Sequence, residues 1–225
     1  METKKSMEQV VYNTLTNAII SRRLAPGTQL IETTIAEQLK VSRTPVRNAI
    51  RKLEQEGFVN VIPNKGAYVI QPSIEEMVQA FTIRQELELI AVKEGFHKVT
   101  EEQVREMDRL AKVEEAFFEN ITLQDYNRAN REFHSTLAKA SGNRFLIEFL
   151  NKILSQIDIY LLIYDAFHHF EQGSSHEWAD HSALVEAVKQ NDQNLFEERL
   201  INHLQYSLEE LKVDIINYQP LQNLF

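Results

Sequence analysis

The 225-residue chain contains no cysteine. That absence excludes disulfides, thiolate metal sites and a cysteine nucleophile, and it suits a reducing compartment. Glycine and proline are scarce, at 6 and 5 residues. Four of the prolines, Pro26, Pro45, Pro63 and Pro72, fall in the first third, and the next is Pro220. The long stretch between them lacks helix breakers and is expected to be nearly all helix. Long apolar runs are also missing. None approaches the roughly 20 residues a membrane helix needs, and the opening METKKSMEQV lacks a signal peptide's apolar centre. A soluble, cytoplasmic protein with no membrane partner is expected. HExxH, a glycine-rich phosphate loop and G-x-S-x-G are absent as well, so no catalytic residues are assigned and no enzyme is expected. What the chain has is a 43% hydrophobic fraction, enough for a core and too much for a disordered chain.

The charge is unevenly spread. A net charge of -9 argues against nucleic acid if taken whole. Residues 1–72, however, carry ten Lys and Arg against six Glu, a balance of +4, and the remainder is left at -13. Such asymmetry points to a nucleic-acid-facing domain over 1–72 joined to a domain over 73–225 with another task.

Within the first domain, Val10, Val11, Leu15, Ala18 and Ile19 recur at helical spacing and stop before Ala25-Pro26-Gly27. Gln29-Leu30-Ile31 reads as extended, and a second helix is expected near Thr33 to Lys40, its first turn begun by Glu32 or Thr33. Ser42 is placed as the N-cap of a third helix reaching about Glu56 and closed by Gly57. Two β-rich runs, Phe58 to Ile62 and Ala67 to Ile70, flank the turn Pro63-Asn64-Lys65-Gly66, which is a hairpin pattern. The order describes a winged helix-turn-helix. On the third helix Val46, Ala49, Ile50 and Leu53 share one arc, and Arg43, Arg47 and Arg51 line the next, with Thr44 and Asn48 beyond. An arginine fork can grip guanine O6 and N7 together or clamp a phosphate. Ser42, Arg43, Thr44 and Arg47 are the expected major-groove contacts; Arg51 and Lys52 are expected to reach phosphate or solvent, and Lys65 and Gly66 of the wing tip to approach the minor groove or backbone. Spaced charges are also the ordinary dress of a solvated face.

The words Leu24-Ala25-Pro26-Gly27, Leu39 to Arg47, Leu53-Glu54-Gln55-Glu56-Gly57-Phe58-Val59 and Gly66-Ala67-Tyr68-Val69 resemble the N-terminal domain of GntR-family bacterial transcription regulators. The resemblance implies double-stranded operator DNA as the partner. Where that family commonly has an arginine at the start of the second helix, this chain has Thr33, which removes one expected contact.

The second domain reads as about six helices, broken near Val99-Thr100, Asn120, Ser141 to Asn143, Gln172 to Ser174 and Asn191-Asp192, and packed antiparallel as one bundle. It carries all seven histidines. Asn130 and His134 lie four apart, so they share a helix face. His181 and His203 lie among the apolar residues of the last two helices. Imidazoles converging from separate helices make a divalent metal site, though a lone histidine at an apolar edge is commonly just packed. His168, His169 and His176 are assigned to the surface. Tyr126, Tyr160 and Tyr164 are either pocket lining or core, with core favoured for most.

Asn130-x-x-Phe133-His134, Leu137-Ala138-x-Ala140-Ser141-Gly142-Asn143, His181-x-x-Leu184-x-x-Ala187-Val188 and His203-Leu204 resemble the FCD effector domain of FadR-type members of the same family. The resemblance implies that Asn130, His134, His181 and His203 hold a divalent metal such as Zn²⁺, Ni²⁺ or Mn²⁺, that a small organic acid binds beside it, and that the protein is a homodimer. The family more often has aspartate where Asn130 stands; the amide is a weaker ligand and leaves the site one unit more positive. Arg84 matches the arginine of the family's first effector-domain helix and is expected to clamp an effector carboxylate; a salt bridge to Glu88, four residues on, is its local alternative. The function expected is a DNA-binding regulator, repression being the favoured sign. A metal-dependent enzyme and a structural metal-binding protein are the alternatives.

Overall fold

The computed structural model describes residues 6–115, 123–164 and 181–217. The chain divides into two compact units, one running to Ser73 and the other from Ile74 to Tyr218.

The first unit contains α1 (Met7–Ile20), β1 (Gln29–Leu30), α2 (Glu32–Leu39), α3 (Arg43–Gln55), β2 (Val59–Ile62) and β3 (Gly66–Val69). Ser6 starts α1 by accepting from the Gln9 amide at 3.2 Å. Lys40 ends α2 in the left-handed region, at φ 53°, which turns the chain sharply enough for α3 to begin three residues later. Ser42 occupies the N-cap of α3 in extended backbone, but its side chain makes no capping hydrogen bond. Val46, Ala49, Ile50 and Leu53 are buried on one stripe of α3, and each large member of that stripe contributes roughly 1.5–3 kcal/mol of burial. Gly57, at φ 88°, ends the helix, and the Phe58 amide closes onto the Leu53 carbonyl. The strands form a three-stranded antiparallel sheet in the order β1-β3-β2, with Gln29 opposite Tyr68 and Val59 opposite Val69.

The second unit consists of α4 (Ile74–Gly95), a 3₁₀ turn (Phe96–Lys98), α5 (Glu101–Glu115), α6 (Leu123–Ser141), α7 (Arg144–Tyr164), α8 (His181–Lys189) and α9 (Gln193–Asn217). Its core includes Val92, Phe96, Met107, Phe133, Ala138, Leu150, Leu154, Leu184, Leu200 and Leu204. Tyr126 is buried and Tyr160 half-buried. The breaks expected near Asn120 and Gln172 to Ser174, the Tyr164 side chain, and His168, His169 and His176 lie outside the described residues.

Gly95 sets how closely two helices meet. A Cβ there would lie 2.1 Å from the Leu137 carbonyl oxygen on α6, so only glycine permits this approach. The same packing brings Glu88 of α4 beside His134 of α6. Asp108 ties α5 to α8: it accepts from Lys112 at 2.5 Å and from Lys189 at 2.8 Å. Those two bonds hold its carboxyl down to about 2. Asp192 caps α9 through the Leu195 amide, 3.0 Å. Among the described residues no helix is long and apolar enough to cross a membrane.

Candidate nucleic-acid interface and metal centre

Ser42, Arg43, Thr44, Arg47, Arg51, Lys65 and Gly66 are all exposed on the first unit. The apolar stripe of α3 is turned inward, which leaves the arginine arc facing out. Arg43 and Arg47 are not simply solvated. Both reach Glu32, the first residue of α2. Arg47 Nε and Nη2 donate to Glu32 Oε1 and Oε2 at 3.1 and 3.0 Å, and Arg43 Nη2 donates to Oε2 at 3.4 Å. The Arg47 bonds hold the Glu32 carboxyl below its ordinary range despite partial burial. A groove of about 610 Å³ runs past these side chains and is lined by Glu32, Thr33, Arg43, Arg47, Arg51 and Gly66 among others.

Two neighbouring expectations need correction. Asn48 was expected beyond the arginines on the outward side of the helix, but its amide donates to Glu8 of α1 at 3.0 Å. Lys52 was expected to reach phosphate or solvent, but its ammonium sits 3.9 Å over the Tyr12 ring. Both are turned back to brace α1 against α3. The wing tip is held at Lys65, whose carbonyl accepts from Gln29 Nε2 at 2.9 Å and Tyr68 Oη at 3.0 Å. Gly66 follows at φ 107°, a conformation that needs glycine.

In the second unit α6, α8 and α9 each bring one histidine to a common point. His134 and His181 are buried and His203 is half-buried, and one ring nitrogen from each lies within 4.8 Å of the others. His134 Nε2 stands 2.9 Å from His181 Nε2. Two nitrogens each about 2.0–2.1 Å from one ion lie roughly 2.9–3.4 Å apart at right-angled to tetrahedral geometry, so the pair has the spacing of co-ligands. Phe133 braces the His181 ring at a centroid distance of 4.2 Å. Asn130 is buried one turn before His134 on α6.

His134 Nδ1 lies 2.8 Å from Glu88 Oε2. A carboxylate there accepts a hydrogen bond from Nδ1–H and leaves the Nε2 lone pair facing the other histidines, the orientation that metal-bound imidazoles usually have. Burial, reinforced by Arg84 and the other two histidines, holds His134 well below its ordinary pKa, which keeps the ring neutral. Burial also pushes Glu88 up, opposed by Arg84.

The local alternative for Arg84 is what forms: its Nε donates to Glu88 Oε1 at 2.7 Å. The bridge engages only part of the guanidinium: Arg84 Nη2 is buried and, among the described residues, has no hydrogen-bond partner. Asn127 Oδ1, two helical turns before His134 on α6, is likewise buried without one. Nearby on α7, the buried Asp158 lies 3.5 Å from Arg131 and is pushed up to about 7 by burial. Asn127 and Asp158 were not singled out from the sequence, Glu32 was noticed only as a helix start, and Glu88 only as a partner for Arg84.

A winged helix-turn-helix with an outward arginine face, on one chain with a helical unit enclosing a histidine cluster, is the architecture of a transcription regulator. Residues 7–69 match the family model for bacterial regulatory proteins of the gntR family, and residues 79–206 match the FCD domain. The chain belongs to the GntR family and carries an FCD domain. It is 27% identical over 203 residues to the HTH-type transcriptional regulator YdhC of Bacillus subtilis, covering 89% of each chain. It is 24% identical over 206 residues to the HTH-type transcriptional repressor RspR of Escherichia coli, covering 92% of this chain and 89% of that one. Among solved structures, Escherichia coli McbR/YncC superposes with a TM-score of 0.66 at 25% identity, over 93% of this chain and 99% of that one. These families and relatives are transcriptional regulators and not enzymes, so the metalloenzyme alternative falls.

Proposed function

We propose that this regulator is a homodimeric, cytoplasmic repressor whose affinity for its operator is set by a small organic acid bound beside a divalent metal ion in the second unit. The observation that carries the reading is the histidine cluster with its Glu88 partner. Three imidazoles from three helices, one of them facing a buried carboxylate, form a donor set suited to Zn²⁺, Ni²⁺ or Mn²⁺. Asn130, His134, His181 and His203 hold the ion in this reading. When bound, the ion supplies a positive centre for a ligand carboxylate. Arg84 Nη2, a buried donor with no partner among the described residues, takes a second carboxylate oxygen. Asn127 Oδ1, a buried acceptor, favours an acid that also carries a hydroxyl or amino group.

On the first unit, Ser42, Arg43, Thr44 and Arg47 enter the major groove, while Arg51, Lys65 and Gly66 meet the backbone or minor groove. Two copies related by a two-fold axis read matching half-sites. The acid acts only as far as it binds two arrangements of the dimer unequally. Repression is supported by the relative named as a repressor.

The test is a thermal-shift panel of small carboxylic acids on wild type and His181→Ala, with and without added Zn²⁺, followed by binding to a duplex selected from random DNA. An acid that stabilises the Zn²⁺-loaded wild type alone and weakens its hold on the duplex is the expected result. Equal shifts in the two proteins would remove the histidine cluster from effector control.

A further inference from the structure

Glu32 is an odd residue for a surface that meets phosphates. It places a negative charge between the two arginines best aimed at DNA, in a unit whose whole surplus is +4. An acidic residue in the first turn of α2 has an ordinary local role, since it complements the helix dipole. Exposed ion pairs contribute only about 0–1 kcal/mol to stability. Neither accounts for the geometry at Arg47. Its Nε and one Nη2 hydrogen are taken side-on by the two oxygens of the same carboxylate. That bidentate grip fixes the guanidinium plane. It also leaves the adjoining end edge, Nη1–H and the second Nη2–H, unengaged by Glu32, and this edge can fork onto guanine O6 and N7.

We infer that Glu32 is a positioning residue for DNA reading, its carboxylate fixing the Arg47 guanidinium and steadying Arg43 so that they meet guanine edges in preference to phosphates. The inference rests on the placement of α3 in the major groove. An unheld arginine carries about 2 kcal/mol of rotamer entropy to be lost on binding; one held beforehand loses less on reaching its base. The carboxylate also works against non-specific binding, because it repels phosphate and occupies donors that any phosphate would otherwise attract. Glu32 therefore lowers affinity for random DNA while raising the preference for the correct site. Arg43, held by a single longer bond, is steadied less than Arg47.

The experiment is parallel selection by full-length wild type and Glu32→Gln from a duplex pool with a randomised core, followed by titration of each protein with the wild-type motif and the unselected pool. Glu32→Gln keeps the shape of an exposed side chain, and a melting curve of each variant reports its folding. The expected result for Glu32→Gln is a motif blurred at its guanine positions, binding to the unselected pool about threefold tighter, and a preference for the wild-type motif lowered about tenfold. In an Arg47→Ala background the same change should lower the preference far less, since the positioned group is gone. A preference within about twofold of wild type, with or without a lower melting temperature, would overturn the inference and leave Glu32 its helix-start role. Equal losses in the two backgrounds would overturn it as well. Failure of wild type to enrich any motif would instead overturn the DNA-reading assignment on which it stands.

Discussion

Asp158 shows how one buried residue shapes behaviour with pH. Its folded pKa is raised to about 7 from an ordinary 3.8, mainly by burial and despite Arg131 and Arg84. The folded protein therefore keeps a proton that the unfolded chain releases. Its contribution to stability is full below the unfolded value and is lost as the pH rises through about 7. Asp158→Asn has the same shape and cannot ionise. Relative to wild type it should gain stability between about pH 5 and pH 8, by at most about 1.4 kcal/mol per pH unit. Urea unfolding at both pH values checks this, and an unchanged difference between the proteins would contradict it. At the DNA surface, Arg47→Ala should cost about 1–3 kcal/mol on the selected duplex and less on random DNA. Anisotropy titration on both probes measures the gap; equal losses would mean that Arg47 touches phosphate alone. The arginine arc was legible because a period of 3.6 separates it from the apolar stripe of α3. Asn48 was misread because helical spacing assigns it a direction but not a partner, and Glu8 lies forty residues away. Glu32 was passed over because an acidic residue at a helix start already has a local reason to be there.

The elements carry the histidine centre, and helical period alone did not reveal it. His134, His181 and His203 sit on α6, α8 and α9, and no spacing rule connects such distant segments; resemblance to the FCD pattern did. Periodicity and breakers located the helices well, because every described break falls at a short polar or glycine-containing turn. What they could not supply was the crossing of α4 over α6, which depends on Gly95 meeting the Leu137 carbonyl. Gly95→Ala should force that contact apart at a cost of about 1–3 kcal/mol. Because the same contact sets Glu88 against His134, the variant should also show a smaller melting shift on adding Zn²⁺. Differential scanning calorimetry with and without the metal reads both effects. A melting temperature equal to wild type would show that the helices separate without cost.

For the whole molecule, a charge of -9 conceals a basic DNA-binding unit and an acidic helical one. With a surplus of only +4, one DNA-binding unit neutralises few phosphates, so in the homodimer proposed above tight binding is expected to need both copies. In the proposed function the second unit has two tasks, pairing the copies and holding the metal that lets an acid regulate them. The central claim is that His134, His181 and His203 form a metal centre. The most direct measurement is equilibrium dialysis against Zn²⁺ followed by metal analysis, on full-length wild type and His134→Ala, with circular dichroism to show that both are folded. The expected result is about one zinc per wild-type chain and almost none in the variant. Equal zinc in the two proteins, or none in wild type, would contradict it.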